Sequence, residues 1–417
     1  MKNRSFLTRR VLAFSGAAFV LSLTLIFPVP NSAGVPQPPS PPRFYFGNFH
    51  AHTSYSDGSG TPKEAYKYAR EMGDLDFLAI TEHNHAAAGP TSGDRKDDLL
   101  IATDPTLYPK LIADADAANV DNKFVAIYGQ EFSTISKGNH SNAFMANKVI
   151  RTPNGEYEKV FTNDWMTDFG VEVIQLNHPW DGKDTNKKKM SAQAVGTSKD
   201  TNYGFNRFPS KAAFVQALDG RATMIEVING PGLTNPEDDQ VLFGTVKPAF
   251  YFAYLNLGLH IAPTGDQDNH YRTWGTLTET RTVVLAPKLT RSEILKAMKE
   301  RRVYATEDKD LQVLFKVNGK LMGSINPSLP SGGTAKISVA IKDTDEPNSA
   351  YKVAIFYDPG PGGTQATQVG VLNVNNNSSG TFNHTPTAGK GYYFLVVTST
   401  KDANEGYSAW TAPVRFE

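Results

Sequence analysis

Six of the nine histidines in this chain stand at or near the ends of short apolar runs that read as strands, and no other feature constrains the fold as much. Phe44 to Phe49 leads into His50-Ala51-His52, with Ser56-Asp57-Gly58 just beyond. Asp76 to Ile80 runs into Thr81-Glu82-His83, and Phe124 to Tyr128 into Gly129-Gln130-Glu131. His140 precedes a strand over Ala143 to Ala146, and Val171 to Leu176 leads to Asn177-His178. His260 to Thr264 is followed by Asp266-Gln267-Asp268-Asn269-His270. Residues i and i+2 of a strand point the same way, so His50 and His52 can grip one cation from one side. Core histidines scattered by packing alone would not fall in this pattern.

Helical signals lie between these runs. Thr61-Pro62-Lys63-Glu64 is a capping box with proline at the first helical position, and Gly73 closes that helix. Leu107 to Ala118, Lys211 to Leu218 (Ser210 as N-cap) and Ala249 to Leu257 read as helices. Another is capped by Thr290 and runs to about Arg301, after a last strand over Thr282 to Leu285. Strands alternating with helices predict parallel β/α units over residues 44–308, with functional groups at the C-terminal strand ends. From Lys309 to Glu417 short alternating apolar stretches separated by Gly, Pro, Asn and Asp predict a β-sandwich-like support or binding domain. Two domains suit a chain of 417 residues.

The chain has no cysteine, which excludes thiolate metal sites, cysteine nucleophiles and disulfides. A transition-metal site must therefore use His, Asp and Glu. Lys plus Arg equals Asp plus Glu at 42 each, so bulk charge does not favour nucleic acid as a partner. At the N-terminus Lys2, Arg4, Arg9 and Arg10 precede an apolar run from Val11 to Phe27, with small residues at Ser32, Ala33 and Gly34. Residues 1–33 read as an export signal, with Thr8-Arg9-Arg10 of twin-arginine type. An uncleaved anchor is the alternative, but the run is slightly short for a span. Residues 34–43 form a proline-rich tether. The expected location is periplasmic or extracellular, with no stable membrane span once the signal is removed.

The candidate metal ligands are His50, His52, Asp57, His83, Glu131, His140, His178, Asp268 and His270. Nine groups suit two or three ions, with Glu131 bridging two of them. Such ions activate water as hydroxide for attack at phosphorus without a protein nucleophile. Histidine and carboxylate donors accept Zn, Mn or Fe alike.

These motifs, in this order over roughly Phe44 to Asp308, resemble the polymerase and histidinol-phosphatase (PHP) family. The tail Arg302-Val303-Tyr304-Ala305-Thr306 is similar to its carbaryl-hydrolase-like branch. The resemblance implies an α/β fold: a distorted (β/α)7 barrel, here followed by the small all-β domain. It implies a site of up to three metals and, for most members, phosphoester hydrolysis. By the family pattern His50, His52, Glu131 and Asp268 would hold a first ion. Glu131, His140 and His178 would hold a second, and Asp57, His83 and His270 a third. Two departures stand out. Asp266 rivals Asp268 as ligand, and Glu82 replaces an aspartate, leaving it either an orienting or a ligating role.

The expected activity is that of an exported metal-dependent phosphoesterase acting on an anionic small-molecule or surface-polymer ester. His178, once protonated, is the candidate to stabilise the leaving oxygen, and Arg272 to hold a phosphate, with Lys137 and Arg207 as weaker cations. Trp180 and Trp274 are candidates to line the pocket. Amide, ester or carbamate hydrolysis on the same metals is the first alternative. An inactive barrel serving as scaffold for a binding β domain is the second.

Overall fold

The computed structural model describes residues 41–85, 101, 104–133, 140–151, 159, 161, 163–179, 208–232, 245–246, 248–330, 332–360, 365–400 and 408–417. The export signal, most of the tether, Lys137, Trp180, Arg207 and the long loop after Trp180 lie outside these residues. Residues 41–417 form one compact unit of mixed α/β construction.

The described residues of the first part contain ten strands. They are β1 (Arg43–Asn48), β2 (Phe77–His85), β3 (Val125–Ser133), β4 (Ser141–Phe144), β5 (Val173–Leu176), β6 (Ala222–Asn229), β7 (Thr245–Val246), β8 (Ala262–Asp266), β9 (Arg281–Ala286) and β10 (Val303–Thr306). Six helices are described between them: α1 (Pro62–Glu71), α2 (Leu107–Ala118), α3 (Asn163–Asp168), α4 (Lys211–Leu218), α5 (Pro248–Leu257) and α6 (Arg291–Lys299). The capping box of α1 is formed as the sequence predicts: Glu64 N–H donates to the Thr61 hydroxyl, and Thr61 N–H donates to Glu64 Oε2 at 2.7 Å. Ser210 and Thr290 cap α4 and α6 with their hydroxyls alone, accepting from Ala213 N–H and Glu293 N–H.

Strand pairing departs from the all-parallel expectation. β1, β2 and β3 are parallel neighbours, as are β5, β6 and β8. β4 runs antiparallel to both β3 and β5, and β9 runs antiparallel to both β1 and β10. Between Ser133 and Ser141 there is no room for a crossover helix, so the chain can only turn back beside β3. The reversal still serves the site. The start of β4 lies beside the end of β3, with Glu131 opposite Asn142, so His140 arrives at the same sheet edge as Glu131. β8 meets β9 through a side chain: Thr282 Oγ1 accepts from Gly265 N–H at 3.0 Å and bonds Gly265 O at 3.1 Å.

After residue 309 the described residues contain strands and no helix: β11 (Gln312–Val317), β12 (Lys320–Leu321), β13 (Ile325–Asn326), β14 (Ala335–Lys342), β15 (Ala350–Asp358), β16 (Thr367–Asn375), β17 (Ser378–His384), β18 (Gly391–Ser399), β19 (Ser408–Thr411) and β20 (Val414–Phe416). β12-β11-β14-β17 make a separate four-stranded sheet. Its inward side chains Val313, Phe315, Ile337 and Val339 share one core with Val353, Ile355, Leu395 and Val397 of the larger sheet. That larger sheet is continuous with the first part, because β19 pairs antiparallel with β10. Of the stretch 302–306, read from sequence only as a motif, Val303–Thr306 is thus a buried strand at the seam. Tyr251 O–H donating to Thr411 O (3.0 Å) and the Arg415 guanidinium donating to Leu259 O (2.7 Å) tie the same junction. No described helix is long and apolar enough to cross a membrane.

Candidate metal centre

All nine candidate ligands converge on one edge of the sheet. His50 and His52 follow β1, and Asp57 lies in the turn before α1. His83 and Glu131 are within β2 and β3 and sit directly opposite one another. His140 precedes β4, His178 follows β5, and Asp268 and His270 follow β8. An isolated parallel bridge, Ala51 to Asn269, and the bond from His52 N–H to Asn269 O (2.8 Å) join the first and last of these loops.

Glu131 is the centre of the arrangement. Its Oε1 lies 2.8 Å from His140 Nδ1, 3.0 Å from His178 Nε2 and 3.2 Å from His50 Nε2. Its Oε2 lies 2.9 Å from His83 Nδ1 and 3.4 Å from His52 Nε2. Asp268 Oδ1 is 3.2 Å from His50 Nε2 and 3.0 Å from His52 Nε2, and those two nitrogens are 3.2 Å apart. A tetrahedron of metal bonds of about 2.0–2.1 Å has edges of about 3.3–3.4 Å. His50, His52, Glu131 and Asp268 present their donor atoms at close to that spacing.

A second group consists of His52, Asp57, His83 and His270. Asp57 Oδ1 stands 3.2 Å from His270 Nε2 and 3.5 Å from His83 Nε2. The His270 Nδ1–H donates to the Asp268 carbonyl at 2.7 Å, which leaves Nε2 as the lone-pair nitrogen facing Asp57. A third group gathers His83, Glu131 and His140. His83 therefore faces carboxylates with both ring nitrogens, and His178 approaches the same Glu131 oxygen as His140.

Three buried oxygens, Asp57 Oδ1, Glu131 Oε2 and Asp268 Oδ1, make no hydrogen bond although ring nitrogens lie within 2.9–3.5 Å of each. A buried carboxylate oxygen without a donor is costly. Divalent cations between these oxygens and nitrogens would satisfy both, so the donor set fits metal ions.

The electrostatics agree. Burial alone would lower the His50 and His83 imidazoles. Asp268 and Glu131 beside His50, and Glu131 and Asp57 beside His83, override it and raise both well above the ordinary histidine range. Burial would raise Glu131, but His50, His140 and His83 hold it well below the usual carboxylate value. Asp57 and Asp268 are also lowered, against burial, by the histidines around them. His140 goes the other way: burial wins and draws it down to about 4. Exposure sets the open side. His50 and His52 are fully buried and Glu131 is 1% exposed, whereas the His140 and His178 side chains are 24% and 22% exposed.

Both ambiguities of the sequence receive a structural answer. Asp266 accepts from Phe49 N–H (2.6 Å), the Thr282 hydroxyl (3.1 Å) and Gln175 Nε2 (3.1 Å). It anchors the end of β1, and burial together with neighbouring Glu226 pushes its pKa up to about 7. Asp268 is the residue that faces the histidines, at a positive φ of 48°. Gly232 makes room for that turn, since a Cβ there would come within 2.2 Å of the Asp268 carbonyl. Glu82 accepts from the Thr53 and Ser56 hydroxyls and from Thr53 N–H, so it shapes the turn carrying Asp57.

Arg272 is 62% exposed and lies 3.6 Å from Glu64, so its fork faces a carboxylate at the mouth of α1. Trp274 is buried and donates to the His52 carbonyl at 3.2 Å, supporting the loop from beneath. His260 bonds Asp219 and Glu417, and His384 bonds the Tyr393 hydroxyl, both away from the centre. One residue was missed by sequence reasoning. Glu226 is fully buried in β6, with Oε1 2.8 Å from His50 Nδ1 and Oε2 accepting from His178 N–H at 2.6 Å. The available signal was a single acid inside an otherwise uncharged buried strand, Ala222-Thr-Met-Ile-Glu-Val-Ile-Asn229.

No protein-family model matches the sequence. Nor does any curated protein match it. Solved structures with partial likeness include a two-domain protein from Bacteroides vulgatus containing a predicted PHP-like metal-dependent phosphoesterase. It is 17% identical, with 91% of this chain and 97% of that one covered and a TM-score of 0.46. Another is the PmoD soluble domain from Methylocystis sp., 13% identical, with 25% of this chain and 90% of that one covered and a TM-score of 0.18. Likeness at these levels fixes neither family nor activity.

Proposed function

We propose that this protein is a metal-dependent hydrolase of the PHP type, a phosphoesterase that works with two or three divalent ions, Zn, Mn or Fe. The observation that carries the reading is Glu131, a buried carboxylate with imidazole nitrogens facing both of its oxygens. That arrangement suits ions on either side of one carboxylate. His50, His52, Glu131 and Asp268 would hold the first, Glu131, His140 and His178 the second, and Asp57, His83 and His270 the third. Bound ions would supply Lewis acidity, lowering the pKa of water and screening charge on phosphoryl oxygens.

The chain's own groups do the rest. The departing oxygen would be stabilised by an ion or, where His178 is protonated and does not hold the second ion, by that imidazole on the more exposed side. Arg272 would take a substrate anion by exchanging its contact with Glu64, a bidentate fork suited to phosphate. On this reading β1 to β10 constitute the distorted seven-fold barrel, with residues 309–417 as a supporting β domain. The protein is exported through residues 1–33, and its substrate is an anionic ester outside the cytoplasm.

A screen of phosphomonoesters, phosphodiesters and acyl esters, each with Zn, Mn or Fe added back, tests the activity. Metal-dependent turnover of phosphoesters, inhibited by inorganic phosphate, is the expected result. Turnover of acyl esters or amides alone would move the reaction to a carbonyl centre. Absence of turnover with every ion would favour a scaffold.

A further inference from the structure

Glu226 has no place in the nine-residue ligand set, yet it touches two of its members. Its Oε1 is 2.8 Å from His50 Nδ1, and both side chains are fully buried. Its Oε2 accepts from the His178 backbone N–H at 2.6 Å and from Asn229 Nδ2 at 3.0 Å. A carboxylate only accepts, so the His50 nitrogen that faces Glu226 carries the proton. The opposite nitrogen, Nε2, then points its lone pair at Glu131 and Asp268, where the first ion would lie. His178 sits at a φ of 26°, a backbone conformation that a non-glycine residue holds only with support. Glu226 supplies that support through the amide.

We propose that Glu226 is a positioning residue of the metal centre: one carboxylate fixes the His50 tautomer and the His178 turn together, and so aims the imidazoles that follow β1 and β5 at one oxygen of Glu131. The proposal rests on the metal-centre reading above. It makes a sharp distinction between Glu and Gln. Glutamine offers a single acceptor oxygen where glutamate offers two. If that oxygen keeps the His178 and Asn229 donors, the amide NH2 faces His50 and requires Nδ1 to accept. His50 must then carry its proton on Nε2, where it opposes the cation.

The test is Zn2+ affinity of the full chain by competition with a chromogenic chelator, together with the visible spectrum of the Co2+-substituted protein. Wild type, Glu226→Gln and Glu226→Asp are compared, with far-UV circular dichroism as the check on folding. Glu226→Gln is expected to weaken the tightest site by about 10–100-fold, the usual loss when such a supporting group is removed, and to alter the Co2+ bands. Glu226→Asp keeps the acceptor charge on a shorter stem and should fall between the two. If the glutamine variant does not fold, the aspartate variant decides alone. Wild-type affinity and an unchanged Co2+ spectrum in the folded variants would overturn the proposal while leaving the metal centre standing. A wild-type chain that takes up no Zn2+ would remove both.

Discussion

Residues 43–306 and residues 308–416 are both rich in strand, but they treat buried charge in opposite ways. In the first part His50, His52, Glu131 and Asp268 gather imidazoles and carboxylates whose donor atoms face one another, with three buried oxygens left without a hydrogen bond. In the second part Asp308, Asp310, Asp343 and Asp345 approach just as closely, but as carboxylates alone. Their partners are local, although Asp310 Oδ1 too is buried without a hydrogen bond. Asp308 Oδ1 accepts from the Asp310 and Leu311 amides at 3.0 and 3.1 Å, and Asp310 Oδ2 from the Thr344 amide at 3.0 Å. Asp343 accepts from the Glu346 amide and the Tyr351 hydroxyl, and Asp345 pairs with Lys309. Burial, followed by the neighbouring acids, pushes Asp308 up to about 8, so it stays protonated near neutrality. Proximity of ligand-type atoms is common to both clusters. What separates them is mixed donor chemistry at coordination spacing and a surrounding carboxylate that fixes ring orientation.

The largest expected effect is on the first cluster. Glu131→Ala removes the group shared by the ion positions, so turnover should be abolished and metal content should fall by at least one ion per chain while the fold persists. His50→Ala should likewise abolish turnover. Activity assays and elemental analysis of purified variants check both, and retained activity in either would erase the contrast between the clusters. A core truncation in the other part sharpens it. Phe315 is fully buried in β11, and Phe315→Ala should cost about 3–5 kcal/mol in chemical denaturation. Zn2+ affinity of the folded variant should match wild type, because no ligand lies on that sheet.

Acidity offers a smaller, graded comparison. His50 and His83 are raised well above the ordinary histidine value by their carboxylate neighbours acting against burial. An ion must displace those protons, so Zn2+ affinity should rise and proton release should diminish as pH increases above the ordinary histidine range. Chelator competition and calorimetry in buffers of different ionisation enthalpy measure the two quantities, and flat profiles would contradict the assignment. Asp308→Asn should have the least effect at low pH. Below the unfolded value near 3.8 the acid is neutral in folded and unfolded chain alike, so stability should change by less than about 1 kcal/mol there, whereas near pH 7 the variant should be the more stable because only the unfolded wild type ionises. Because the folded pKa of Asp308 is raised, the stabilisation from its proton is complete below the unfolded value near 3.8 and is lost as pH climbs towards about 8. Thermal melts across that window should show the decline in wild type and a weaker one in the variant.

Much of the centre could be read from the chain because its ligands follow local rules. His50 and His52, two positions apart, reach the site together just past the end of β1, and the helix starts at Thr61, Ser210 and Thr290 announce themselves by capping chemistry. What could not be read depends on partners distant in sequence. Glu226 acquires its role from His50, 176 positions away. Asp266 and Asp268 look equivalent until the Phe49 amide claims the first, 217 positions away. The reversal of β4 hides behind a loop whose length, more than its composition, forbids a crossover. β10 carries four buried residues and a motif but no turn signal, so its pairing with β19 was invisible.

The central claim is that cations hold these side chains together, and anomalous diffraction from crystals grown with Zn2+ addresses it most directly. At least two anomalous peaks should flank the Glu131 carboxylate, one of them within bonding distance of His50, His52 and Asp268. No peak beside Glu131, or less than one ion per chain, would contradict the account.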